Sequence, residues 1–592
     1  MCGIAGLMTY NGEAPPAAPL RAMGKALRHR GPDGDGHYRS GDVGMVQTRL
    51  AIIDLATGDQ PLYEPGGSAL IANGEIYNYI ELRDELGCGR PAVFSTASDC
   101  ELPLHLYRRH GLGFTAHLRG MYAIALHDPG TGELILARDP FGIKPLYYAE
   151  TPSAFAFASE PGALLEAQVV TRRLVRSARN ELVQMQFTTG RETIFAGICR
   201  VLPGETVVIR RGRIVERCRR EALTQGGPLP IDEDEALSRL DAALTESVSI
   251  HQRSDVPFGM FLSGGIDSTA VLAMMARLAE RPVKAFTIGF APSDVADERA
   301  VARSAARAVG AEHVEIIFNE ADFWKLLPEV VSAVDDPAAD YAILPTYVLA
   351  RAARQSGLKV ILSGEGGDEM FGGYGRYRTA TRPWWAGGRM ARARGVLDGL
   401  GILRNEIAGW RDGIAAAEAR NGGHARTPLQ VAQAVDCADW LPNDLLIKLD
   451  RCLMAHGTEG RTPYLDAGVA ALAFTLPDEL KIKHGLGKWL LRRWLAQRLP
   501  EAQSFARKRG FTVPVARWLG RRAHEIGPLV ARSAAVREIC QPDAVERLFA
   551  AVGNKRAARA AWTLLFYALW HRRHIECALL PPDAVEALAV TG

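Results

Sequence analysis

Ser263-Gly264-Gly265-Ile266-Asp267-Ser268 joins an apolar run at 256–262 to a segment, 269–278, whose apolar residues recur at helical spacing. The pattern predicts a strand, a glycine-rich loop and a helix, in that order. Such a loop directs backbone N–H groups and the positive end of the helix dipole outward, which suits an anion such as phosphate. The alternative is a turn that only connects two elements. Because a strand and a helix flank the loop, we expect a phosphate site, with Asp267 holding Mg²⁺ against the phosphate oxygens.

The loop differs from the lysine-bearing loop that serves transfer of a terminal phosphate, because the chain contains no G-x-x-x-x-G-K-[ST] sequence. SGGIDS resembles instead the pyrophosphate loop of the N-type ATP pyrophosphatases. That resemblance implies cleavage of ATP to AMP and pyrophosphate while a carboxylate is adenylated.

Length and composition predict a protein of two or more domains, because 592 residues exceed what one core usually organises. The 70 basic and 67 acidic residues nearly cancel, so no charge excess favours nucleic acid. The sequence contains no apolar window of about 18 residues, so it predicts no membrane span. The nine cysteines are scattered without metal-ligand spacing, which is typical of free thiols in the cytoplasm.

The N-terminus carries a candidate nucleophile. Removal of Met1 would leave Cys2 with a thiol beside a free α-amino group, whose pKa of about 7.7–8.0 suits it to take the thiol proton. One residue would then supply both nucleophile and base. The alternative is that Cys2 is a small buried residue at the start of a strand.

Three further segments favour the nucleophile. Recognition of a free amino acid needs a cation for its carboxylate, a carboxylate for its ammonium and amide donors for an oxyanion. Arg49, Asn73-Gly74-Glu75 and Asp99 supply these groups. Surface ion pairs are the alternative for Arg49 and Asp99 taken singly.

With 29–34 and 138–148, these segments resemble the class II glutamine amidotransferase domain. The resemblance implies an α+β Ntn-hydrolase-type antiparallel β sandwich with helices, in which Cys2 attacks the glutamine amide. Asn73 and the Gly74 N–H would form the oxyanion hole, and the loop around Arg30 would close over the thioester. The residues expected to bind glutamine are Arg49, Ile53, Asn73, Glu75 and Asp99.

The strand patterns at 121–127 and 134–138 flank a hairpin turn and agree with such a sandwich. The segment 171–191 is rich in arginine, and its sequence indicates no role. Periodicity is lost around 224–230. We therefore predict a glutaminase domain at 2–218, a linker at 219–233 and an ATP-dependent domain at 234–592.

The second half alternates strand patterns with helical patterns, which predicts βαβ units, a parallel sheet and a helical C-terminal part. Ligands then bind at the carboxyl ends of the strands, near the switch point of the sheet. A second acidic loop, 363–369, follows the strand pattern at 358–362. Asp267 and Asp368 would face one triphosphate, as two Mg²⁺ ions require.

The chain from Cys2 to about Trp518 resembles the glutamine-hydrolysing asparagine synthetase family. Besides both loops, the resemblance rests on 448–451, 460–466 and 485–488. The segment 507–511, with Lys508 and Arg509, also matches a family segment, and the role of these two residues is left open. The resemblance implies that Glu365 handles ammonia or the activated carbonyl and that Lys488 neutralises charge as pyrophosphate leaves. The expected catalytic residues are Cys2, Asn73, Gly74, Glu365 and Lys488. The expected ATP-binding residues are Leu262, Ser263, Gly264, Gly265, Asp267, Ser268, Ile288, Ser363 and Gly364, and the expected metal ligands are Asp267 and Asp368.

The expected substrates are glutamine, ATP with Mg²⁺, and aspartate, without nucleic acid or membrane partners and with a homodimer left open. The segment 335–341 borders the expected acceptor site and offers no cation for a second carboxylate. A sugar uronic acid or a peptide side chain is therefore the alternative acceptor. A β-lactam synthetase-like enzyme and a non-catalytic binding protein are further alternatives, and the complete set of charged groups argues against both.

Overall fold

The computed structural model describes residues 2–87, 94–291, 298–382, 392–423, 425–506 and 513–589. Two six-stranded antiparallel sheets form the N-terminal part of the chain, and a five-stranded parallel sheet with helices forms the C-terminal part. The predicted antiparallel sandwich and the predicted parallel sheet are both confirmed.

The N-terminal sheets run in the orders β10-β8-β9-β1-β3-β2 and β12-β11-β7-β6-β5-β4. Their strands are β1 (Cys2–Thr9), β2 (Gly34–Ser40), β3 (Val43–Arg49), β4 (Leu62–Tyr63), β5 (Ala69–Ile76), β6 (Gly120–Asp128), β7 (Glu133–Arg138), β8 (Tyr147–Glu150), β9 (Ala154–Ala158), β10 (Cys199–Arg200), β11 (Glu205–Arg210) and β12 (Arg213–Arg219). The helices of this part are α1 (Ala17–Ala26), α2 (Tyr79–Gly87), α3 (Leu102–His110), α4 (Pro161–Glu166) and α5 (Arg176–Met185), and 3₁₀ turns cover Asp99–Glu101 and Gly111–His117.

Strand β1 is buried along its whole length because both of its faces are covered. Ile4 and Met8 lie in the core between the two sheets, whereas Ala5 and Leu7 belong to the core that includes Leu20 of α1. This alternation follows the period of two along a strand. It places Cys2 at the end of a central, rigid strand.

The parallel sheet has the order β15-β14-β13-β16-β17. Its strands are β13 (Phe258–Phe261), β14 (Lys284–Ala291), β15 (Glu312–Asn319), β16 (Val360–Leu362) and β17 (Glu459–Arg461), and β18 (Ile482–Lys483) pairs with β19 (Leu486–Gly487) in a separate hairpin. The chain passes from β13 outward to β15 and returns to β16 on the other side of β13. The switch point therefore lies between β13 and β16, where the two predicted loops follow the strands.

Helices cover this sheet and form the C-terminal part. They are α6 (Glu233–His251), α7 (Ile266–Leu278), α8 (Arg299–Ala308), α9 (Glu320–Ala333), α10 (Ile343–Gln355), α11 (Gly367–Phe371), α12 (Gly375–Ala380), α13 (Asp412–Asn421), α14 (Pro428–Val435), α15 (Ile447–Met454), α16 (Ala467–Thr475), α17 (Asp478–Lys481), α18 (Trp489–Arg498), α19 (Val515–Arg521), α20 (Ala523–Arg532), α21 (Ala534–Ile539), α22 (Pro542–Ala550), α23 (Lys555–His574) and α24 (Ala584–Ala589). A π-helical segment, Asp436–Leu446, joins α14 to α15, and 3₁₀ turns cover Pro463–Leu465 and Pro500–Ala502.

Helix α23 is a core helix, since most of its side chains are buried, among them Trp562, Phe566 and Trp570. It packs against α9 and α22. No helix in the described part of the chain is long and apolar enough to cross a membrane. Residues 220–232, between β12 and α6, form no regular element, and the domain boundaries stay a prediction.

Candidate active site

The thiol of Cys2 lies in a dense set of hydrogen bonds. In the antiparallel register, Cys2 is directly opposite Arg49. Its backbone N–H donates to Asn73 Oδ1 at 3.1 Å, and its Sγ accepts a hydrogen bond from Gln47 Nε2 at 2.7 Å. Burial raises the pKa of the thiol, although hydrogen bonds from the Leu50 backbone and from Gln47 lower it. The thiol therefore needs a base to become a nucleophile, the role predicted for the α-amino group.

Asn73 has the orientation that an oxyanion donor needs. Its side chain is completely buried, and because Oδ1 bonds to Cys2, Nδ2 is the remaining donor. That nitrogen has no hydrogen-bond partner among the described residues. A buried donor without a partner lowers the stability of the fold unless a ligand supplies an acceptor for it. The neighbouring Gly74 packs so tightly that an added Cβ would lie 2.1 Å from the Met121 carbonyl oxygen.

The residues expected to hold the amino-acid head group lie around this thiol. Arg49 pairs with Asp59 at 2.7 Å, and the Asp59 side chain is 80 % exposed, so a substrate carboxylate can replace it. Burial raises the pKa of Glu75 well above its ordinary value, and the neighbouring Glu459 and Asp99 raise it further. Burial also raises the pKa of Asp99. A substrate ammonium would restore the charge of these carboxyls. Ile53 lies buried in the loop after β3.

Arg30, in the loop predicted to close over the thioester, is anchored beside Cys2. Its side chain is completely buried, and Nε donates to the carbonyl of Cys2 at 3.2 Å. The two Nη atoms bond to Asp450 at 2.8 and 3.0 Å, and Nη1 also bonds to Glu160 at 2.6 Å. The guanidinium therefore holds the backbone of the nucleophile against the C-terminal half of the chain.

A cavity of about 580 Å³ opens at the carboxyl ends of β13 and β16. Both predicted loops line it, and so do the predicted Glu365 and Lys488. The lining includes each expected ATP-binding residue: Leu262, Ser263, Gly264, Gly265, Asp267, Ser268, Ile288, Ser363 and Gly364. The metal-ligand candidate Asp368 lines the same space.

The first loop has the geometry of an anion cradle at a helix start. Gly264 adopts a left-handed conformation with φ +74°, and α7 begins directly after Gly265. The Ser263 hydroxyl accepts a hydrogen bond from the Gly265 N–H at 3.2 Å, and the Ser268 hydroxyl accepts one from the Ser263 N–H at 3.1 Å. These bonds fix the turn at the positive end of α7.

The two loops interlock. A Cβ added to Gly364 would lie 2.8 Å from the backbone nitrogen of Ser268, and one added to Gly367 would lie 2.6 Å from the Asp267 carboxyl carbon. Only glycine allows this approach. The glycines therefore bring the two acidic loops together in one site.

Lys488 lies between the two carboxylates of these loops. Its Nζ contacts Asp368 Oδ1 at 2.7 Å and also contacts Asp267. Although burial opposes it, the Asp267 and Asp368 carboxylates raise the pKa of Lys488. The ammonium is therefore charged at neutral pH, as a group that stabilises a phosphate must be.

Asp267 and Asp368 also fit a magnesium ion. Both reach one ammonium, so their oxygens are close enough to share one cation. The described residues contain no group of three or more metal-binding side chains. Two carboxylates completed by phosphate oxygens and water are the ligands that Mg²⁺ typically takes in nucleotide sites.

Lys448, a cation that lines the cavity with Glu365, was not predicted as a site residue. Lys448 lines the cavity, and its Nζ bonds to Asp340 at 2.8 Å. Burial raises the pKa of Glu365. Although burial opposes it, Asp340 and Glu365 raise the pKa of Lys448. The segment 335–341 supplies no cation itself, and α15 brings one to it.

Gln47 was missed as well, although the sequence offered a signal. It precedes Arg49 by two positions on β3, so both side chains point to the same face. Lys448 lay in the matching segment 448–451, but its contact with Asp340, 108 positions away, had no signal in the sequence. Lys508, Arg509 and Met1, which carried predictions, lie outside the described residues.

Two family models cover most of the chain. The model described as a glutamine amidotransferase domain matches 1–219, and the model described as asparagine synthase matches 239–572.

Individual relatives match over different lengths. A Bacillus subtilis protein named asparagine synthetase [glutamine-hydrolyzing] 1 is 33 % identical over 98 % of both chains. A Mycobacterium bovis relative is 35 % identical over 98 % of both chains. The Penicillium rubens protein named amidase chyE is 32 % identical over 64 % of this chain and 60 % of its own.

Proposed function

Because the chain belongs to the glutamine-hydrolysing asparagine synthetase family, we propose that it forms asparagine from aspartate, glutamine and ATP, with AMP and pyrophosphate as products. The cavity at β13 and β16 is the observation that supports this most strongly. There the phosphate loop, Glu365, Lys448 and Lys488 face one space. Such a space suits a nucleotide and a carboxylate held side by side.

The N-terminal half would release ammonia. The α-amino group of Cys2 takes the thiol proton, and Sγ attacks the amide carbon of glutamine. Asn73 Nδ2 and the Gly74 N–H stabilise the oxyanion. Ammonia leaves with the proton, and water then hydrolyses the thioester to glutamate. The proposed glutamine ligands Arg49, Glu75 and Asp99 hold the head group, with Ile53 beside them.

The C-terminal half would activate the acceptor. The loop 263–268 holds the β- and γ-phosphates while the acceptor carboxylate attacks the α-phosphorus and pyrophosphate leaves. Lys488 neutralises the charge that develops. Ammonia then attacks the activated carbonyl carbon, Glu365 takes a proton from the nitrogen, and AMP leaves. The raised pKa of Glu365 suits it to that proton transfer.

Asp267 and Asp368 would hold Mg²⁺, which neutralises phosphate charge when bound. In the same proposal, residues 2–218 form the glutaminase domain, 219–233 the linker and 234–592 the synthetase domain.

Residues between the two sites would line the path that ammonia takes from one to the other. Arg461 of β17 is completely buried, and its Nη2 lies 3.5 Å from Glu75 Oε2 in the glutamine pocket. Strand β17 pairs with β16, whose following loop carries Glu365. A short internal passage along these residues would keep ammonia from solvent.

The test is product formation across a panel of carboxylates. With ATP, Mg²⁺ and ammonium, we expect AMP, pyrophosphate and asparagine from aspartate, and little pyrophosphate from a uronic acid or an aspartyl peptide. Asp267→Ala should abolish pyrophosphate release and leave glutamine hydrolysis intact. ADP and inorganic phosphate as the main products, or no asparagine from aspartate, would contradict the proposal.

A further inference from the structure

Three distant segments meet at the side chain of Gln186, which follows α5 in a left-handed conformation with φ +75°. Its Nε2 donates to the carbonyl of Ala339 at 3.0 Å and to Thr563 Oγ1 at 3.1 Å. Its Oε1 accepts a hydrogen bond from Arg559 Nε at 2.7 Å. The backbone carbonyl of Gln186 also accepts from the Ala339 N–H at 2.7 Å. The buried amide thus joins the N-terminal part, the segment 335–341 and helix α23.

Helix α23 also donates hydrogen bonds to the segment 335–341 and to the residue before it. Trp562 Nε1 donates to the Ala339 carbonyl at 2.6 Å, and Trp570 Nε1 donates to the Val334 carbonyl at 2.9 Å. Residues 335–341 form no helix or strand of their own. Because no regular hydrogen-bond ladder supports this segment, bonds of this kind fix it, together with the pairs that Asp335 makes with Arg451 and that Asp336 makes with Arg200.

The residue after Ala339 connects this joint to the cavity. Asp340 Oδ2 accepts the bond from Lys448 Nζ at 2.8 Å, and Lys448 lines the cavity together with Glu365. A shift of Ala339 moves Asp340, and the ammonium of Lys448 loses the carboxylate that fixes it. Gln186 is thus linked to Lys448 in the cavity through two residues, Ala339 and Asp340.

Lys448 marks the part of the cavity that the acceptor would occupy. The loop 263–268 and Lys488 line the same cavity and would hold the pyrophosphate that leaves. In-line displacement at phosphorus places the attacking oxygen opposite the leaving oxygen. The acceptor carboxylate would therefore enter between the α-phosphate and the pair formed by Glu365 and Lys448.

We propose that Gln186, a residue of the N-terminal half, is a positioning residue for the acceptor: through Ala339 and Asp340 it holds Lys448 where the carboxylate binds. This inference rests on the proposed function. It assigns a role to the arginine-rich segment 171–191 and to helix α23, both of which the sequence left without one.

The decisive variant is Gln186→Met, which preserves side-chain length and removes the three side-chain hydrogen bonds. Both residues carry a Cβ, so the cost of the left-handed backbone is similar in the two proteins. Gln184→Met is the matched control. Gln184 lies on the same helix, and its Nε2 bonds to Asp398 at 2.7 Å, its Oε1 to the Leu397 N–H at 2.9 Å and its carbonyl to the Val396 N–H at 2.8 Å. It makes the same kinds of bond to a segment that does not line the cavity.

Ammonium-dependent pyrophosphate release should be measured at varied aspartate and varied ATP. For Gln186→Met we expect the KM for aspartate to rise about tenfold, while the KM for ATP and the rate of glutamine hydrolysis stay within about twofold of the wild type. Gln184→Met should change all three by less than about twofold. Equal effects of the two variants, or an equal rise in both KM values for Gln186→Met, would overturn the inference.

A second variant and a second acceptor cover the cases in which the first comparison cannot be made. If Gln186→Met does not fold, Thr563→Val replaces it, since Thr563 is uncharged and its hydroxyl accepts the hydrogen bond from Gln186 Nε2. It should raise the KM for the acceptor about threefold and leave the KM for ATP unchanged. If the wild type makes no asparagine, the proposed function fails, and the same comparison with the carboxylate that the panel identifies still decides the role of Gln186.

Discussion

Single contacts fix Cys2, the proposed nucleophile, without ionising its thiol in advance. Gln47 donates to the sulfur, Asn73 accepts from the backbone nitrogen, and Arg30 donates to the carbonyl. Of these three bonds, only the one from Gln47 reaches the thiol itself, whose pKa is raised by burial. In the proposed function, the base that glutamine hydrolysis needs is the α-amino group that removal of Met1 would expose.

Replacing Cys2 with alanine should reduce glutamine-dependent asparagine formation by about 10³-fold or more, because a covalent nucleophile cannot be replaced by a binding contact. Ammonium-dependent formation should persist, since the alteration touches neither phosphate loop. Steady-state rates with each nitrogen donor measure this difference.

Cys100→Ala is the control, because Cys100 is also a buried thiol, whose Sγ lies 3.8 Å from the Gly74 carbonyl. It should keep most of the glutamine-dependent rate. Mass spectrometry of the active enzyme should show a chain that starts at Cys2. Full glutamine-dependent activity of Cys2→Ala would rule out the nucleophile.

At the scale of elements, the site depends on two loops that follow β13 and β16. The parallel register places both strand ends at one edge, and glycines allow the loops to interlock. Helix α7 then begins within the first loop and directs its N-terminus to the cavity. A single methyl group between the loops should therefore disturb ATP binding.

Gly364→Ala should raise the KM for ATP at least about tenfold, because its Cβ would lie 2.8 Å from the Ser268 nitrogen and the phosphate loop would have to shift. Glutamine hydrolysis should be unaffected. Pyrophosphate release and glutamate formation are the two readouts.

Gly553→Ala serves as the control, since no atom of the described residues lies within 4 Å of its added Cβ. It should leave both rates near the wild-type values. An unchanged KM for ATP in Gly364→Ala would show that the loops do not need the close approach seen here.

At the scale of the whole molecule, a buried network of charges joins the two halves. Arg30 bonds to both Glu160 and Asp450, and Arg451 bonds to Asp450 at 3.0 Å and to Asp335 at 2.8 Å. Although burial opposes it, Arg30 lowers the pKa of Asp450, so the pair is ionised. A residue of the C-terminal half thereby positions the arginine that holds Cys2.

Asp450→Asn should lower glutamine hydrolysis about tenfold and destabilise the protein by about 3–5 kcal/mol, because it removes a carboxylate to which the buried guanidinium groups of Arg30 and Arg451 both bond. Glutaminase kcat/KM and the thermal midpoint measure the two effects.

Asp466→Asn offers a matched comparison, since Asp466 makes a bidentate pair with Arg119 at 2.7 and 2.8 Å, also between the two halves. This pair makes no contact with Cys2. Its loss should lower the thermal midpoint and spare glutamine hydrolysis. If the two variants lowered glutamine hydrolysis equally, the link from Asp450 to the nucleophile would be refuted.

Groups whose structure is local were predictable from the amino-acid sequence. The phosphate loop at 263–268 follows from its own glycines and flanking periodicity, and the 363–369 loop from the strand before it. Cys2, Asn73 and Glu75 were predicted as a set, because the other segments and the family they resemble favoured a nucleophile at Cys2 over a small buried residue. The parallel sheet followed from alternating patterns of strand and helix.

Contacts between groups that are distant in sequence were not predictable and became visible in the folded chain. Lys448 finds Asp340 across 108 positions, Gln186 finds Thr563 across 377, and Arg30 finds Asp450 across 420. Strand β17, with only three residues, forms because β16 offers it an edge. Local propensity cannot select such partners, since burial in a shared core brings them together and the cost of an unpaired buried polar group then requires that they bond.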